Sequence, residues 1–317
     1  MSNRRSFLRT AAGATVAISA TTLAGAVPAC AAAPSAGNGL SIPQGSVGIQ
    51  LFSIRDKVSA LGFRAVFEEL ARIGYQEVEF AGYTQSTSIL GRQITIPEIR
   101  QLLDDNGLTA VGSHVGLGNF RTNIQLELDN AQTLGMKHVG TANAPSNVNT
   151  VAGYLAAADE FNTFGQAAAA RGLKFYQHNH SGEFAFATDQ PSVRLYDVFL
   201  QNTSPRYVFL EMDVYWAYVG QHRYPGFDPA EYVRNQPNRY PLFHMKDGTA
   251  NSSADGYTFA EFGAGILPYE RFVRAIGPRG SHYPIWEQDS APSTQPNPPG
   301  SFAAAQRSHT ALVNLLG

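Results

Sequence analysis

Cysteine is almost absent from this 317-residue sequence, and the single cysteine, Cys30, lies close to the N-terminus. The chain that follows can therefore form no internal disulfide and no structural zinc site built from thiolates. No segment after residue 33 has the roughly 18 consecutive apolar residues of a membrane span. The sequence thus predicts a protein that has no transmembrane segment and is held together by an apolar core.

An excess of basic residues is also lacking. The 23 lysines and arginines are outnumbered by 25 aspartates and glutamates, which gives a formal net charge of −2. Arg4, Arg5 and Arg9 are the charged residues of the first 45 positions, so the remaining chain carries −5. Because affinity for nucleic acids depends on cationic contacts with phosphates, we expect no nucleic-acid partner.

The N-terminus has the composition of an export signal. A basic head with an Arg4-Arg5 pair precedes an apolar segment rich in Ala and Thr, followed by small residues suited to cleavage. The arginine pair predicts a signal for the twin-arginine export machinery, and an ordinary secretory signal is the alternative. We therefore expect a signal peptide at 1–33, a linker at 34–45 and a periplasmic or extracellular protein. Lipid attachment at Cys30 is a further alternative.

Residues 46–317 alternate short apolar runs with longer segments of helical periodicity. The first of these read SVGIQLFSI, FRAVFEELARIG, EVEF and IPEIRQLLDDNG, and the alternation continues to the C-terminus. Eight strand–helix units in about 270 residues favour a single-domain (β/α)8 TIM barrel over an open doubly wound sheet. No G-x-G-x-x-G follows the first strand, which also disfavours the open sheet. Five glycines follow predicted helices and are expected to terminate them: Gly74, Gly107, Gly135, Gly172 and Gly277.

Ionisable residues follow the C-terminal ends of several predicted strands. The fifth to eighth strands end in HNHSGEF, EMDVYW, HMKDG and WEQD. In a barrel these ends meet at one mouth, where active sites of this fold lie. Four potential ligands come from these four strands: Glu183, Asp213, His244 and Glu287. Three carboxylates and one imidazole predict a site for one divalent ion, Mn²⁺, Mg²⁺, Co²⁺ or Zn²⁺.

The segments VGIQLFSIRD, SHVGLG, YQHNHSGEF, MDVYWAY, FHMKDG and WEQD resemble the xylose isomerase-like TIM barrel family, the sugar phosphate isomerase/epimerase group. The resemblance covers residues 46–317. In the ketose 3-epimerases of this family, a glutamate, an aspartate, a histidine and a glutamate after strands five to eight hold a divalent ion. The resemblance implies these roles for Glu183, Asp213, His244 and Glu287. Glu183 matches after a one-residue adjustment in the loop, and His180 is the alternative ligand.

Moving a proton on a carbon beside a sugar carbonyl requires a base, a second acid–base group and an electrophile for the enediolate oxygen. Glu183 and Glu287 can supply the acid–base groups, and the ion can supply the electrophile. Glu79 on the second strand could approach the same pocket, while Lys246 could instead pair with its neighbour Asp247. Polar or aromatic residues at the strand ends are predicted to contact substrate: His114, His178, His180, Trp216 and Lys246.

The predicted function is that of a metal-dependent isomerase or epimerase acting on an unphosphorylated sugar or keto-sugar derivative. A phosphate is not expected in the substrate because no Lys/Arg pair or Gly-rich turn marks a phosphate site. One alternative is a lyase or hydratase acting on 3-keto glycosides, since the same base and ion would expel a β-substituent from the enolate. Another is a non-catalytic exported sugar-binding protein, which would suit the long loops predicted at 215–229 and 248–272.

Overall fold

The structure is a computed structural model that describes residues 46–293 and 300–317. The predicted signal peptide at 1–33, the linker at 34–45 and Cys30 lie outside the described residues. No helix within the described ranges is both long enough and apolar enough to cross a membrane.

Eight short parallel strands form the sheet at the centre of the fold, and two more form a separate hairpin. The strands are Gly48–Gln50 (β1), Glu77–Phe80 (β2), Thr109–Ser113 (β3), His138–Thr141 (β4), Lys174–His178 (β5), Val208–Asp213 (β6), Leu242–Met245 (β7), Asp247–Ala250 (β8), Tyr257–Ala260 (β9) and Tyr283–Trp286 (β10). The large sheet has the order β3-β2-β1-β10-β7-β6-β5-β4, and β8 pairs with β9 in antiparallel fashion.

The two edge strands of this sheet, β3 and β4, meet beyond the last residue of β3. His114 forms an isolated bridge with Gly140, and the N–H of Val115 donates to the Gly140 carbonyl at 2.8 Å. The sheet is therefore a nearly closed barrel of eight parallel strands, which confirms the predicted fold.

Helices connect the barrel strands and cover the outside of the sheet. They are Arg55–Ile73 (α1), Ile96–Asp105 (α2), Leu117–Thr133 (α3), Val151–Ala169 (α4), Leu195–Asn202 (α5), Val214–Arg223 (α6), Pro229–Asn235 (α7), Tyr269–Ile276 (α8) and Ser301–Leu316 (α9). All five glycines expected to terminate helices have a positive φ, as predicted.

Both segments predicted as long loops contain regular structure. Most of 215–229 belongs to α6 and the start of α7, while 248–272 contains most of the β8–β9 hairpin and the start of α8. Helix α6 begins directly after β6 because Asp213 caps it: Asp213 Oδ1 accepts the backbone N–H of Trp216 at 2.8 Å. The aromatic composition of this segment reflects a packed helix.

Alternation along the strands separates two apolar layers. Outward-facing side chains such as Leu210 and Met212 pack against the helices. A small separate cluster of buried side chains is formed by Val111, Tyr176, Leu242 and Ile285. Two positions further along β5, β7 and the end of β10, on the same face, come His178, His244 and Glu287. The polar side chains of the mouth therefore follow a packed apolar layer.

Gly140 lies where β4 approaches β5 closely. A Cβ atom at this position would lie 2.2 Å from the carbonyl oxygen of Tyr176. Because that oxygen belongs to strand backbone, Gly140→Ala should force the strands apart and lower the free energy of unfolding by about 2 kcal/mol or more. Urea denaturation measures this change. Gly118→Ala is the control, since a Cβ there meets nothing within 4 Å and alanine favours the helix. Equal stability of the two variants would contradict the close approach at Gly140.

Candidate metal centre

Carboxylates and imidazoles from several strands converge at the C-terminal mouth of the barrel. Two groups of potential ligands are found among the described residues, and within each group the donor atoms all lie within 4.8 Å of one another. The first, here called the Asp213 group, consists of His178, Asp213, His244 and Glu287. The second, here called the Glu211 group, consists of His114, His178, Glu211 and His244.

Three of the four predicted ligands, Asp213, His244 and Glu287, come together in the Asp213 group. Strand pairing accounts for this arrangement, because Asp213 lies opposite His244 in the β6–β7 ladder. His178, on the neighbouring strand β5, lies opposite Glu211. His178 was predicted as a substrate contact, and the structure places it among the potential ligands.

The geometry of the Asp213 group fits a divalent ion. His244 Nδ1 lies 2.7 Å from Glu287 Oε2, and His178 Nε2 lies 3.5 Å from Asp213 Oδ2. No residue of the group is more than 4% exposed. Asp213 Oδ1 is held by the cap of α6, whereas the buried Oδ2 accepts no hydrogen bond from the described residues. A buried carboxylate oxygen without a hydrogen bond, next to imidazole nitrogens, has the environment of a metal ligand.

Lys246 brings a positive charge to the same place. Its Nζ lies 2.6 Å from Glu287 Oε2, 3.0 Å from Asp289 Oδ1 and 3.1 Å from Asp213 Oδ2. The contact with Asp213 lacks the alignment of a hydrogen bond. Burial lowers the pKa of Lys246, but the three carboxylates outweigh burial and hold this pKa well above its usual value. The ammonium group therefore offsets part of the negative charge at the mouth.

Asp247 contacts backbone rather than Lys246. Its two carboxylate oxygens accept four backbone N–H groups at 2.8 to 3.3 Å. The donors are Gly248, Gly263, Gly265 and Leu267. Asp247 thus anchors the segment that follows the β8–β9 hairpin at the edge of the mouth.

Glu79 reaches the site from β2, as the sequence suggested. Its Oε2 lies 2.6 Å from His244 Nε2 and accepts the side-chain N–H of Gln50 at 2.9 Å. Its Oε1 accepts the hydroxyl of Tyr176. Burial lowers the pKa of His244, but Glu211, Glu79 and Glu287 outweigh burial and raise this pKa well above its usual value. The carboxylates at its two nitrogens therefore favour the protonated form of the His244 ring.

Glu211 contacts two histidines and was not identified from the sequence. Its Oε2 lies 2.7 Å from His114 Nε2 and 3.0 Å from His178 Nδ1. Burial raises the pKa of Glu211, but the surrounding imidazoles outweigh burial and hold this pKa well below its usual value. A signal was present in the sequence: Glu211 lies two positions before Asp213 in one strand, so both face the barrel interior. His114, predicted to contact substrate, is half-buried against Glu211.

Glu183 belongs to neither group of potential ligands found among the described residues. It lies in the short 3₁₀ turn Ser181–Phe184, where its Oε2 accepts the backbone N–H of His180 at 3.0 Å. Burial raises its pKa to about 7, and the negative charge of Asp213 adds to the shift. Metal ligation by Glu183 or His180 stays a prediction.

The raised pKa of Glu183 makes stability depend on pH. This carboxyl ionises near pH 4.5 in the unfolded chain and near pH 7 in the folded protein. The contribution of the protonated carboxyl to the free energy of unfolding is therefore complete below about pH 4.5 and is lost as the pH rises towards about 7. Between about pH 4.5 and pH 7, the free energy of unfolding should therefore fall by about 3 kcal/mol less in Glu183→Gln than in the wild type. Urea denaturation of both metal-free proteins at several pH values measures the difference, and parallel profiles would contradict it.

His180 and Trp216 form the aromatic side of the mouth, and both are half-buried. The ring of His180 lies 5.0 Å from that of His178 and 5.7 Å from that of Trp216. Phe259 of β9 packs edge-on against Trp216, and Lys246 Nζ lies 5.9 Å from the indole. Burial lowers the pKa of His180 to about 4, so its imidazole is neutral at neutral pH and offers one donor and one acceptor.

Solved structures of several proteins with different names have the same fold as this chain. A sugar phosphate isomerase/epimerase from Parabacteroides distasonis ATCC 8503 is 23% identical with a TM-score of 0.65, covering 92% of this chain and 100% of that one. The probable 3-DHS dehydratase AsbF of Bacillus anthracis is 12% identical with a TM-score of 0.59, covering 84% and 98%. The IolI protein, solved with a zinc atom, is 12% identical with a TM-score of 0.61, covering 86% and 98%. These similarities show the fold.

A search among curated proteins found no match. The sequence model of the family described as "Xylose isomerase-like TIM barrel" matches residues 67–308. Since the match spans well over half of the sequence, this chain belongs to the xylose isomerase-like TIM barrel family.

Proposed function

We propose that this protein is a metal-dependent isomerase or epimerase acting on an unphosphorylated sugar or keto-sugar derivative. The observation that carries the proposal is the Asp213 group, in which the donor atoms of two carboxylates and two imidazoles lie within 4.8 Å of one another. Two imidazoles in the donor set suit Zn²⁺, Co²⁺ or Mn²⁺ better than Mg²⁺. His178, Asp213, His244 and Glu287 would hold the ion.

The protein groups around this site suit proton transfer next to a carbonyl. A divalent ion bound there would polarise the sugar carbonyl and offset the negative charge of the enediolate. Burial raises the pKa of Glu287, but Lys246 and His244 outweigh burial and keep this carboxylate ionised. Glu287 can therefore accept a proton from the adjacent carbon. Glu183, with a pKa of about 7, suits the second group, which returns a proton near neutral pH.

The contacts of two cationic side chains support an unphosphorylated substrate. Lys246 is surrounded by three carboxylates, and Arg55 donates to the backbone carbonyls of Phe52 and Asp289 at 2.6 and 3.0 Å. A phosphate would require cations that are not already committed to protein acceptors. The ring of Trp216 can pack against the apolar face of a sugar. Export, which the N-terminal sequence predicts, would also bring the enzyme to free sugars.

A second candidate is a lyase or hydratase acting on 3-keto glycosides. The fold is shared with a protein described as a probable dehydratase. Once Glu287 has removed the proton beside the carbonyl, loss of a β-substituent needs no further base. The two reactions therefore differ in the fate of the enolate rather than in the residues that form it.

NMR of candidate sugars and 3-keto glycosides, incubated in D₂O with the metal-loaded protein, tests the proposal. Deuterium incorporated at one carbon, with every substituent retained, supports an isomerase or epimerase. Loss of a substituent supports the lyase or hydratase instead. Sugar binding without exchange in any candidate would contradict both enzymes and support an exported binding protein.

A further inference from the structure

The imidazoles of His178 and His244 belong to both ligand groups, and each ring has a carboxylate at both of its nitrogens. Nδ1 of His178 faces Glu211 at 3.0 Å, while its Nε2 faces Asp213 at 3.5 Å. For His244, Nε2 faces Glu79 at 2.6 Å and Nδ1 faces Glu287 at 2.7 Å. A neutral imidazole has one N–H donor and one nitrogen lone pair, so only one nitrogen of each ring can bind an ion.

From these contacts we propose that Glu79 and Glu211 are positioning residues that fix which nitrogen of each ligand imidazole faces the ion. Each would accept an N–H from the ring, leaving His178 Nε2 and His244 Nδ1 to bind the ion together with Asp213 and Glu287. The inference rests on the metal site of the proposed function. It also decides between the two ligand groups, making the Asp213 group the ion site and Glu211 part of its support.

Charge favours this assignment. The Asp213 group contains two carboxylates, which together balance a divalent ion, whereas the Glu211 group contains one carboxylate with three histidines. Oxygen atoms of Asp213 and Glu287 already attract the ammonium group of Lys246, at 3.1 and 2.6 Å. Positive charge is thus already drawn to the Asp213 group in this structure.

The supporting carboxylates have further donors. Besides His244, Glu79 accepts the hydroxyl of Tyr176 and the side-chain amide of Gln50. Glu211 Oε2 accepts from His114 as well as from His178. Glu211 Oε1 is buried without a hydrogen bond from the described residues and lies 3.3 Å from His244 Nε2. Because of this oxygen atom, the Glu211 group is the site that would compete with the Asp213 group for the ion.

Depth along the strands also separates the two groups. Glu211 precedes Asp213 by two residues on β6, which places it about 7 Å further from the end of the strand. Asp213 and Glu287 lie at or beyond the strand ends, where a substrate carbonyl can enter. An ion beside Glu211 would therefore lie further from the strand ends than one beside Asp213.

Metal affinity of glutamine variants gives the first test. Glu79→Gln and Glu211→Gln should each bind Zn²⁺ about 10- to 100-fold more weakly than the wild type, measured by competition with a chromophoric chelator. Asp213→Asn removes a ligand and should lose more affinity than either variant. Glu77→Gln is the matched control, because Glu77 is a buried carboxylate on the same face of β2 at the opposite end of the strand. It should bind Zn²⁺ like the wild type.

The possible results are distinguishable. Glutamine variants at positions 79 and 211 that bind as tightly as the wild type would overturn the inference alone. A greater loss in Glu211→Gln than in Asp213→Asn would make the Glu211 group the ion site and also overturn it. Wild-type protein that binds no divalent ion would overturn the proposed metal-dependent function itself.

A second test uses the wild-type protein and does not depend on whether a variant folds. In protein carrying ¹⁵N-labelled histidine and loaded with ¹¹³Cd²⁺, NMR coupling to cadmium identifies each ligating nitrogen. We expect coupling at His178 Nε2 and His244 Nδ1, with protons retained on His178 Nδ1 and His244 Nε2. Coupling at the opposite nitrogen of either ring would overturn the assignment.

Discussion

Glu287→Gln is expected to lower the rate of substrate carbon–deuterium exchange by about 10³-fold or more. The substitution removes both the ionised base and one of two carboxylates that would balance the charge of the ion. Because the amide is nearly isosteric with the carboxylate, the fold should be retained. The exchange rate measured by NMR in D₂O, together with metal content by atomic absorption, should show loss of turnover and weaker metal binding in one variant.

Glu77→Gln is the control for this experiment, since it neutralises a buried carboxylate at the other end of the barrel. It should retain exchange activity within a small factor of the wild type. Full activity in Glu287→Gln would contradict the role of Glu287 as the base, and equal loss in both variants would point to general destabilisation.

Lys246→Met should lower the unfolding free energy of the metal-free protein by about 3–5 kcal/mol, since it leaves buried carboxylates without their cation. The ammonium group lies within 3.1 Å of oxygen atoms of Asp213, Glu287 and Asp289, and its side chain is only 2% exposed. A bound divalent ion would supply positive charge to two of these carboxylates. The loss should therefore be smaller when Zn²⁺ or Mn²⁺ is present.

Urea denaturation with a chelator and with added ion measures both quantities. Lys174→Met, at the exposed start of β5, removes the same charge away from the mouth and should change stability by no more than about 0.5 kcal/mol. If Lys246→Met lost the same free energy with and without the ion, Lys246 and the ion would not share carboxylates.

The barrel and the general position of the site could be predicted because both depend on simple periodicities. Alternating strands and helices, with glycines after the helices, specify the parallel barrel. Asp213, His244 and Glu287 occur at or near the ends of their strands, and parallel strands in a barrel direct those ends to one mouth. Their convergence therefore follows from the topology.

The choice of ligand on β5 could not be made from the sequence because it depends on the turn that follows the strand. In the turn Ser181–Phe184, the Glu183 carboxylate bends back to the N–H of His180, and His178 is the β5 residue found in the Asp213 group of potential ligands. Nothing in the letters HNHSGEF specifies that hydrogen bond. The pattern of polar residues at strand ends does not identify Glu211, because this residue lies two positions before the end of β6.

The capping role of Asp213 also required the structure. An aspartate followed by aromatic residues suggested a loop, whereas one carboxylate oxygen of Asp213 starts helix α6 and the other faces the site. Asp213 is thus both the N-cap of helix α6 and a potential metal ligand.

Anomalous diffraction from crystals of the protein soaked in Mn²⁺ or Zn²⁺ is the most direct test of the metal site. We expect a single strong peak, at roughly 2.0–2.3 Å from His178 Nε2, His244 Nδ1 and the carboxylates of Asp213 and Glu287. A peak bound instead by Glu211 and His114, or no peak at the mouth of the barrel, would contradict the assignment of these four residues as the metal ligands.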